Sequence, residues 1–298
     1  MVRLTADRRG KLEKTGSMQD CLLGLLYGTK AGRMLVKPLA APQISKMGAW
    51  LLDTRASSCL VPLFIRSHSI PMEDFAKVRY RSFNDFFTRK LAEGARGVAP
   101  EPEVFVSPCD GRLCVYKVDE ACSFVVKHTR YTVESLLKNR RLAGRFAGGY
   151  AWVFRLCVDD YHRYCYVDDG VVSKQRRIAG VLHTVNPVAN DVYPIYKENA
   201  REYCLLKTEH FKTVLQMEVG AMFVGRIENV PGERAVRRGE EKGHFAFGGS
   251  TVIVLTQKKA VLPDGDLLRY TKSGVETKVR LGEQVGIQWG DRKKTAGS

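Results

Sequence analysis

Over the first ~95 residues apolar side chains recur at helical spacing, and beyond them they group as they do in strands. Leu22, Leu25 and Leu26 share one helical face, and Ile44, Met47 and Leu51 fall at i, i+3 and i+7 with Trp50 beside them. Pro38, Pro42 and Gly48 divide this region into short pieces. FNDFFTRKL then places Phe83, Phe86, Phe87 and Leu91 on one further helical face. Such faces either cover a core or lie on a membrane surface, and periodicity alone leaves both open. Lys11, Lys14, Lys30, Arg33, Lys37 and Lys46, interleaved with the apolar positions, suit a helix resting on an anionic monolayer.

From Val104 onward the runs VFVS, CVYKV, FVV, YAWVFRLCV, GVVS, TVLQMEVGAMFVG and STVIVLTQ alternate with Gly and Asp turns, predicting a mostly antiparallel β domain. VESLLKNRRLAG is the clearest helix within it, and the residues after Gly290 read as a frayed polar tail. The fold class expected is therefore α+β, with N-terminal amphipathic helices followed by a β-rich catalytic domain. Its divisions are 1–95 (helical, membrane-docking), 96–290 (β-rich, catalytic) and 291–298 (a disordered tail).

Composition narrows the partner. Lys+Arg 48 against Asp+Glu 32 leaves a net charge of +16 on 298 residues, which calls for an anionic partner: nucleic acid, phospholipid or acidic substrate. Aromatic residues at 9% and the absence of RRM, OB or zinc-finger patterns make nucleic acid the weakest of these. The eight cysteines form no C-x-x-C pair, so neither a zinc ribbon nor a thioredoxin-like site is indicated. Phosphate-loop, dinucleotide, zinc-protease and nucleophile-elbow patterns are absent, and no apolar run approaches the ~20 residues a membrane span needs.

Four clusters carry candidate chemistry. Ser107-Pro108-Cys109-Asp110-Gly111, taken alone, is a turn. Asp160-Tyr161-His162-Arg163-Tyr164-Cys165-Tyr166 follows an apolar strand, at an end where polar groups converge on a cleft. Gly180 to Pro187, with Lys197 to Glu202, supplies a second imidazole (His183), amides and the guanidinium of Arg201, which suits a phosphate or carboxylate. Arg238 to Thr251 carries Gly248-Gly249 directly before Ser250, which leaves a carbonyl sterically open and permits backbone conformations closed to other residues.

Together and in order, these segments resemble phosphatidylserine decarboxylases, the pyruvoyl-dependent proenzymes. FNDFFTRKL corresponds to that family's F-F-x-R-x-L and SPCDG to its S-P-x-D-G. YHR at 161–163, TVNP at 184–187, Asn199 with Arg201, VGAMFVGRI at 219–227 and KGHFAFGGST at 242–251 complete the series. The resemblance implies self-cleavage at Gly249-Ser250 by serinolysis, giving a larger chain 1–249 and a smaller chain 250–298. It implies that Ser250 becomes a pyruvoyl group that forms a Schiff base with phosphatidylserine, yielding phosphatidylethanolamine, with no metal. It also implies catalytic roles for Asp110 (orienting a base), His162 (moving protons) and Ser250 (nucleophile and pyruvate precursor). Asn186, Asn199 and Arg201 would shape the head-group pocket. The partners implied are a phospholipid membrane surface, at which the protein is peripheral, and the substrate; a homodimer stays open, and nucleic acid is not expected.

One position departs from the family pattern. Where a second histidine is expected, three residues after the first, stands Cys165, and a thiol is the poorer base at neutral pH. Three readings stay open: His162 serves both steps, His183 reaches into the gap, or the proenzyme matures poorly. Outside pyruvoyl-dependent decarboxylation of phosphatidylserine, the alternatives are a related proenzyme for another amino-acid head group and a non-cleaving protein that binds anionic lipid.

Overall fold

The computed structural model describes all residues except 1, 2, 16, 17, 127, 128, 187, 188, 190, 191, 222–225, 249 and 291–298. The expected tail therefore lies outside the described residues. The architecture is α+β. Its centre is one large sheet, whose adjacent strands Arg201–Thr208, Thr213–Val219, Ser250–Thr256, Tyr150–Leu156 and Gly111–Lys117 all pair antiparallel. These strands are rich in Val, Ile, Leu and aromatic residues and are largely buried, as expected of strands covered on both faces. Two three-stranded sheets pair Arg163–Cys165, Glu241–Phe245 and Ile227–Asn229, and Val104–Val106, Gln284–Gln288 and Val261–Pro263.

Helices occupy the N-terminal region as expected, over Met18–Gly28, Lys30–Leu39, Pro42–Asp53, Leu60–His68 and Phe83–Phe87. The expectation of helix from residue 1 needs correcting. Arg3–Ala6 and Leu12–Thr15 are strands that extend the large sheet beyond Glu276–Val279, the first of them in parallel. Burial of Thr5 and Ala6 against that edge prevails over local pattern. VESLLKNRRLAG also divides, into Val133–Leu137 and Arg140–Ala143, because Lys138 takes a left-handed conformation (φ +51°) and Asn139 caps the second piece.

The apolar faces of the N-terminal region differ in burial. Phe83, Phe86 and Phe87 are buried in a core cluster with Val61, Ile70, Phe75 and Tyr161. The helix Pro42–Asp53 does the reverse: Ser45 and Ala49 face inward, while Met47, Trp50 and Leu51 are exposed, Trp50 to 67%. Leu25, Met34, Leu35 and Leu63 are exposed as well. Among the described residues no helix is long and apolar enough to cross a membrane.

A buried ion pair ties the sheets together. Lys242, on the strand Glu241–Phe245, places Nζ 2.7 Å from Glu218 Oε2 and 2.8 Å from Asn229 Oδ1, with both charged side chains fully buried. Removing one partner strands the other charge away from water, so in a Ser250→Ala chain that stays whole Lys242→Met is expected to cost about 3–5 kcal/mol in urea unfolding, whereas K242M/E218M recovers most of it.

Candidate active site

Ser250 opens its strand and is fully buried, opposite Leu156 in the register. Beyond Leu156 the chain turns, with Asp160 N–H donating to Cys157 O at 3.0 Å, and returns His162 toward Ser250. His162 Nδ1 lies 3.4 Å from Ser250 Oγ, and Nε2 lies 2.9 Å from Cys157 O. A carbonyl only accepts, so Nε2 carries the proton and the lone pair of Nδ1 faces the serine hydroxyl. Phe87 stacks on the imidazole at 4.0 Å between centroids. Burial, with a smaller contribution from the positive charge of Arg89, holds the His162 pKa down to about 3. The ring is a neutral base at physiological pH.

The groups around it fix this geometry. Asp160 accepts Cys157 N–H at 2.7 Å and the Arg112 guanidinium at 3.2 Å, and burial raises its pKa to about 6 despite that cation. Arg89 is buried between the rings of Phe75 and Phe86, at 4.3 and 4.9 Å, and reaches the carbonyls of Asp159 and Asp160. Cys157, Asp159 and Asp160 bring three metal-ligand atoms within 4.8 Å of one another. Arg155 donates to Cys157 Sγ at 3.0 Å and Arg112 pairs with Asp160, so the protein's own cations already serve that cluster.

Asp110 does not touch His162 among the described residues. Its Oδ1 accepts from Arg96 and from Leu281 N–H at 2.8 Å. The turn that carries it is bound to the neighbouring strand through Cys165 N–H and Pro108 O, at 2.8 Å. Gly111 is required there, since a Cβ would sit 2.9 Å from Arg155 O. Cys165 is buried and its thiol is pushed up to about 12 by burial, so it is no base. Gly249 lies outside the described residues; Gly248 before it has φ +128°, a conformation that favours glycine.

His183 is elsewhere. It packs beneath the helix Met18–Gly28, stacked on Tyr193 at 4.4 Å with Tyr27 at its edge, and has no contact with Ser250 or Cys165 among the described residues. Asn199 and Arg201 do not open onto a pocket either, which corrects the head-group expectation. Asn199 brackets His183 through its N–H and C=O and binds Gly220 O. Arg201 donates to the carbonyls of Leu136, Lys197, Asn199 and Ser135. These are backbone staples, buried to satisfy carbonyls that strands and short helices leave open. Asn186 is half-buried, its N–H on Thr184 Oγ1 at 3.2 Å. Sequence reasoning missed Arg89, Cys157 O and Asn84. The F-F-x-R run and its asparagine signalled the first and last, whereas nothing in a sequence marks a carbonyl.

Residues 83–287 match the family model described as phosphatidylserine decarboxylase. The chain belongs to the phosphatidylserine decarboxylase family. It is 42% identical over 265 residues to phosphatidylserine decarboxylase proenzyme 2 of Clostridium acetobutylicum, covering 89% of this chain and 91% of that one. It is 39% identical over 276 residues to a phosphatidylserine decarboxylase proenzyme of Clostridium novyi, covering 90% and 93%. A third proenzyme of that name, from Ruminiclostridium cellulolyticum, is 39% identical over 272 residues, covering 89% and 90%. The protein is thus an enzyme of the decarboxylase class.

The depressed pKa of His162 makes a signed prediction for this decarboxylase. Between about pH 6.5 and 3 the unfolded chain protonates this histidine and the folded chain does not, so its contribution is complete above 6.5 and declines as pH falls. Urea midpoints of the uncut Ser250→Ala proenzyme measured across that window are expected to fall with acidification, and adding His162→Gln to reduce the slope by about one proton.

Proposed function

We propose that the protein is a self-processing, pyruvoyl-dependent phosphatidylserine decarboxylase working at a phospholipid surface. The observation that carries the reading is the buried Ser250 hydroxyl set 3.4 Å from the neutral nitrogen of His162. In it, His162 Nδ1 takes the hydroxyl proton as Ser250 Oγ attacks the carbonyl of residue 249, and the peptide becomes an ester. The serine Cα proton is then removed and the new carboxylate of chain 1–249 departs. Water enters and ammonia leaves, which yields the ketone at the head of chain 250–298.

The surroundings of Ser250 fit that prosthetic group: the position is dry, at the first residue of a strand, and an imidazole is in reach. A pyruvoyl group there supplies an electron sink when the substrate amine condenses with its ketone and carbon dioxide leaves. His162, oriented by Cys157 O, is the group placed to move protons at this atom. Asp110 enters as a positioning carboxylate that fixes the 107–111 turn through Arg96 and Leu281. Of the three readings for the base, the one that gives both steps to His162 is favoured by its contact with Ser250.

Lipid docking rests on the inverted helix Pro42–Asp53 and its neighbours. Exposed Trp50, Met47, Leu51, Leu63 and Met34 stand among Lys30, Lys37, Arg55 and Arg66, all exposed. Apolar anchors ringed by cations suit an anionic leaflet, which attracts each basic residue by about 1 kcal/mol near its surface. The helices Pro42–Asp53 and Leu60–His68 rest, through Leu52 and Val61, on the cluster containing Phe83 and Phe87, which reaches His162, so lipid would be presented on the side of the reacting atoms.

Intact mass measurement tests the chemistry. The wild type should give two chains, of 249 and 49 residues (298 − 249), the smaller blocked at its N-terminus. Ser250→Ala and His162→Ala should remain single chains, whereas His183→Phe should cut normally; an uncut wild type would overturn the proposal. For the surface, Trp50→Glu with Leu63→Glu should weaken sedimentation with anionic phospholipid vesicles by about tenfold or more without loss of self-cleavage, since each change places a charge where an apolar anchor enters the monolayer.

A further inference from the structure

Asn84 is the second residue of the helix Phe83–Phe87 and is buried. Both ends of its carboxamide are committed. Oδ1 accepts Phe247 N–H at 3.0 Å, and Nδ2 donates to Asp53 Oδ1 at 2.7 Å. The orientation is dictated chemically, because a backbone N–H needs an acceptor and a carboxylate needs a donor. Asp53 ends the helix Pro42–Asp53, and its other oxygen takes Arg226 at 3.3 Å. Phe247 stands three residues before Ser250, its ring packed on Phe83 and Phe87 at 5.1 and 5.0 Å. The latter ring also carries His162. The Asn84 side chain thus joins the exposed apolar helix to the segment that enters Ser250, and Phe87 links that segment to His162.

We propose that Asn84 is a positioning residue for self-cleavage, clamping Phe247 so that the peptide bond before Ser250 is presented to the serine hydroxyl. The inference rests on the self-cleavage reading and adds to it a residue that touches neither reacting group. Attack within a protein depends steeply on placement, a displacement of about 1 Å costing up to about a hundredfold, so losing the clamp slows the cut while the fold persists.

Proenzymes made by cell-free translation, transferred to buffers from pH 8 to 6 well below their melting temperatures, and followed on denaturing gels provide the test. Wild type and Ser250→Ala set the limits of full and absent conversion. Asn84→Ala is expected to convert about tenfold more slowly or worse. N84D separates positioning from bulk stability, since a carboxylate still accepts Phe247 N–H but meets Asp53, and the two share one proton only as pH falls. Among the described residues the charged groups about that position are Asp53, Arg226 behind it with its second partner Glu228, and Asp85 alongside, while beyond Phe87 His162 stays neutral and Asp160 titrates near 6. N84D should therefore regain rate relative to the wild type on acidification, the wild-type profile itself carrying any effect of Asp160, whose pKa is about 6. Conversion of N84A at the wild-type rate overturns the inference, as does an N84D that is slow at every pH. If N84A does not fold, the N84D profile decides alone. A wild type that never cuts sinks the underlying reading instead, and is told apart by matching Ser250→Ala.

Discussion

The organisation of the candidate site depends on a hydroxyl and an imidazole shut away from water together. An imidazole in solvent would share its lone pair with water and be partly protonated near neutrality. Here burial against Phe87, with Arg89 nearby, removes both competitors, and the carbonyl of Cys157 fixes which nitrogen carries the proton. The sheet contributes precision: Ser250 is registered against Leu156, and the turn after Leu156 brings the histidine back to the same point. Precision of this kind requires packed elements, and the antiparallel strands supply it.

Cys165 becomes intelligible in that setting. The relay implied by the family pattern would run through a second histidine and an aspartate, but the thiol is buried and protonated and Asp110 is taken by Arg96 and Leu281. The orienting contact on the imidazole comes from a main-chain carbonyl instead. A carbonyl cannot take up a proton, so it fixes the tautomer without competing for charge. Asp160 and Arg112 hold the turn that offers it, which moves the ionic part of the arrangement one step away from the reacting atoms.

Much of the β domain was legible because its strands are unbroken apolar runs: YAWVFRL, TVLQMEV and STVIVLT stand where their composition puts them. The strand Arg201–Thr208 was not. Its Arg, Glu and Lys read as a polar cluster, and the Arg201 guanidinium, which in the sequence suits a ligand clamp, satisfies four backbone carbonyls. Local pattern records how polar a side chain is, not whether its partner is a ligand or a distant peptide group. The same limit hid Asn84, whose two partners lie 31 and 163 positions away, and it leaves His162 and His183 alike in the sequence, although only His162 lies against Ser250 among the described residues.

The strand Ser250–Thr256 is bordered on both sides by segments that precede it, Thr213–Val219 and Tyr150–Leu156. Glu276–Val279 and Gln284–Gln288 are likewise set against earlier strands, in two different sheets. Hence the sheet must be assembled before any scission at its middle, and a severed molecule, once unravelled, would have to recover its centrepiece by bimolecular encounter. Its persistence would then be governed by the rate at which it opens and not by a reversible balance. For such a molecule heat damage is a one-way event, and the half-life at a given temperature describes its durability better than any melting midpoint.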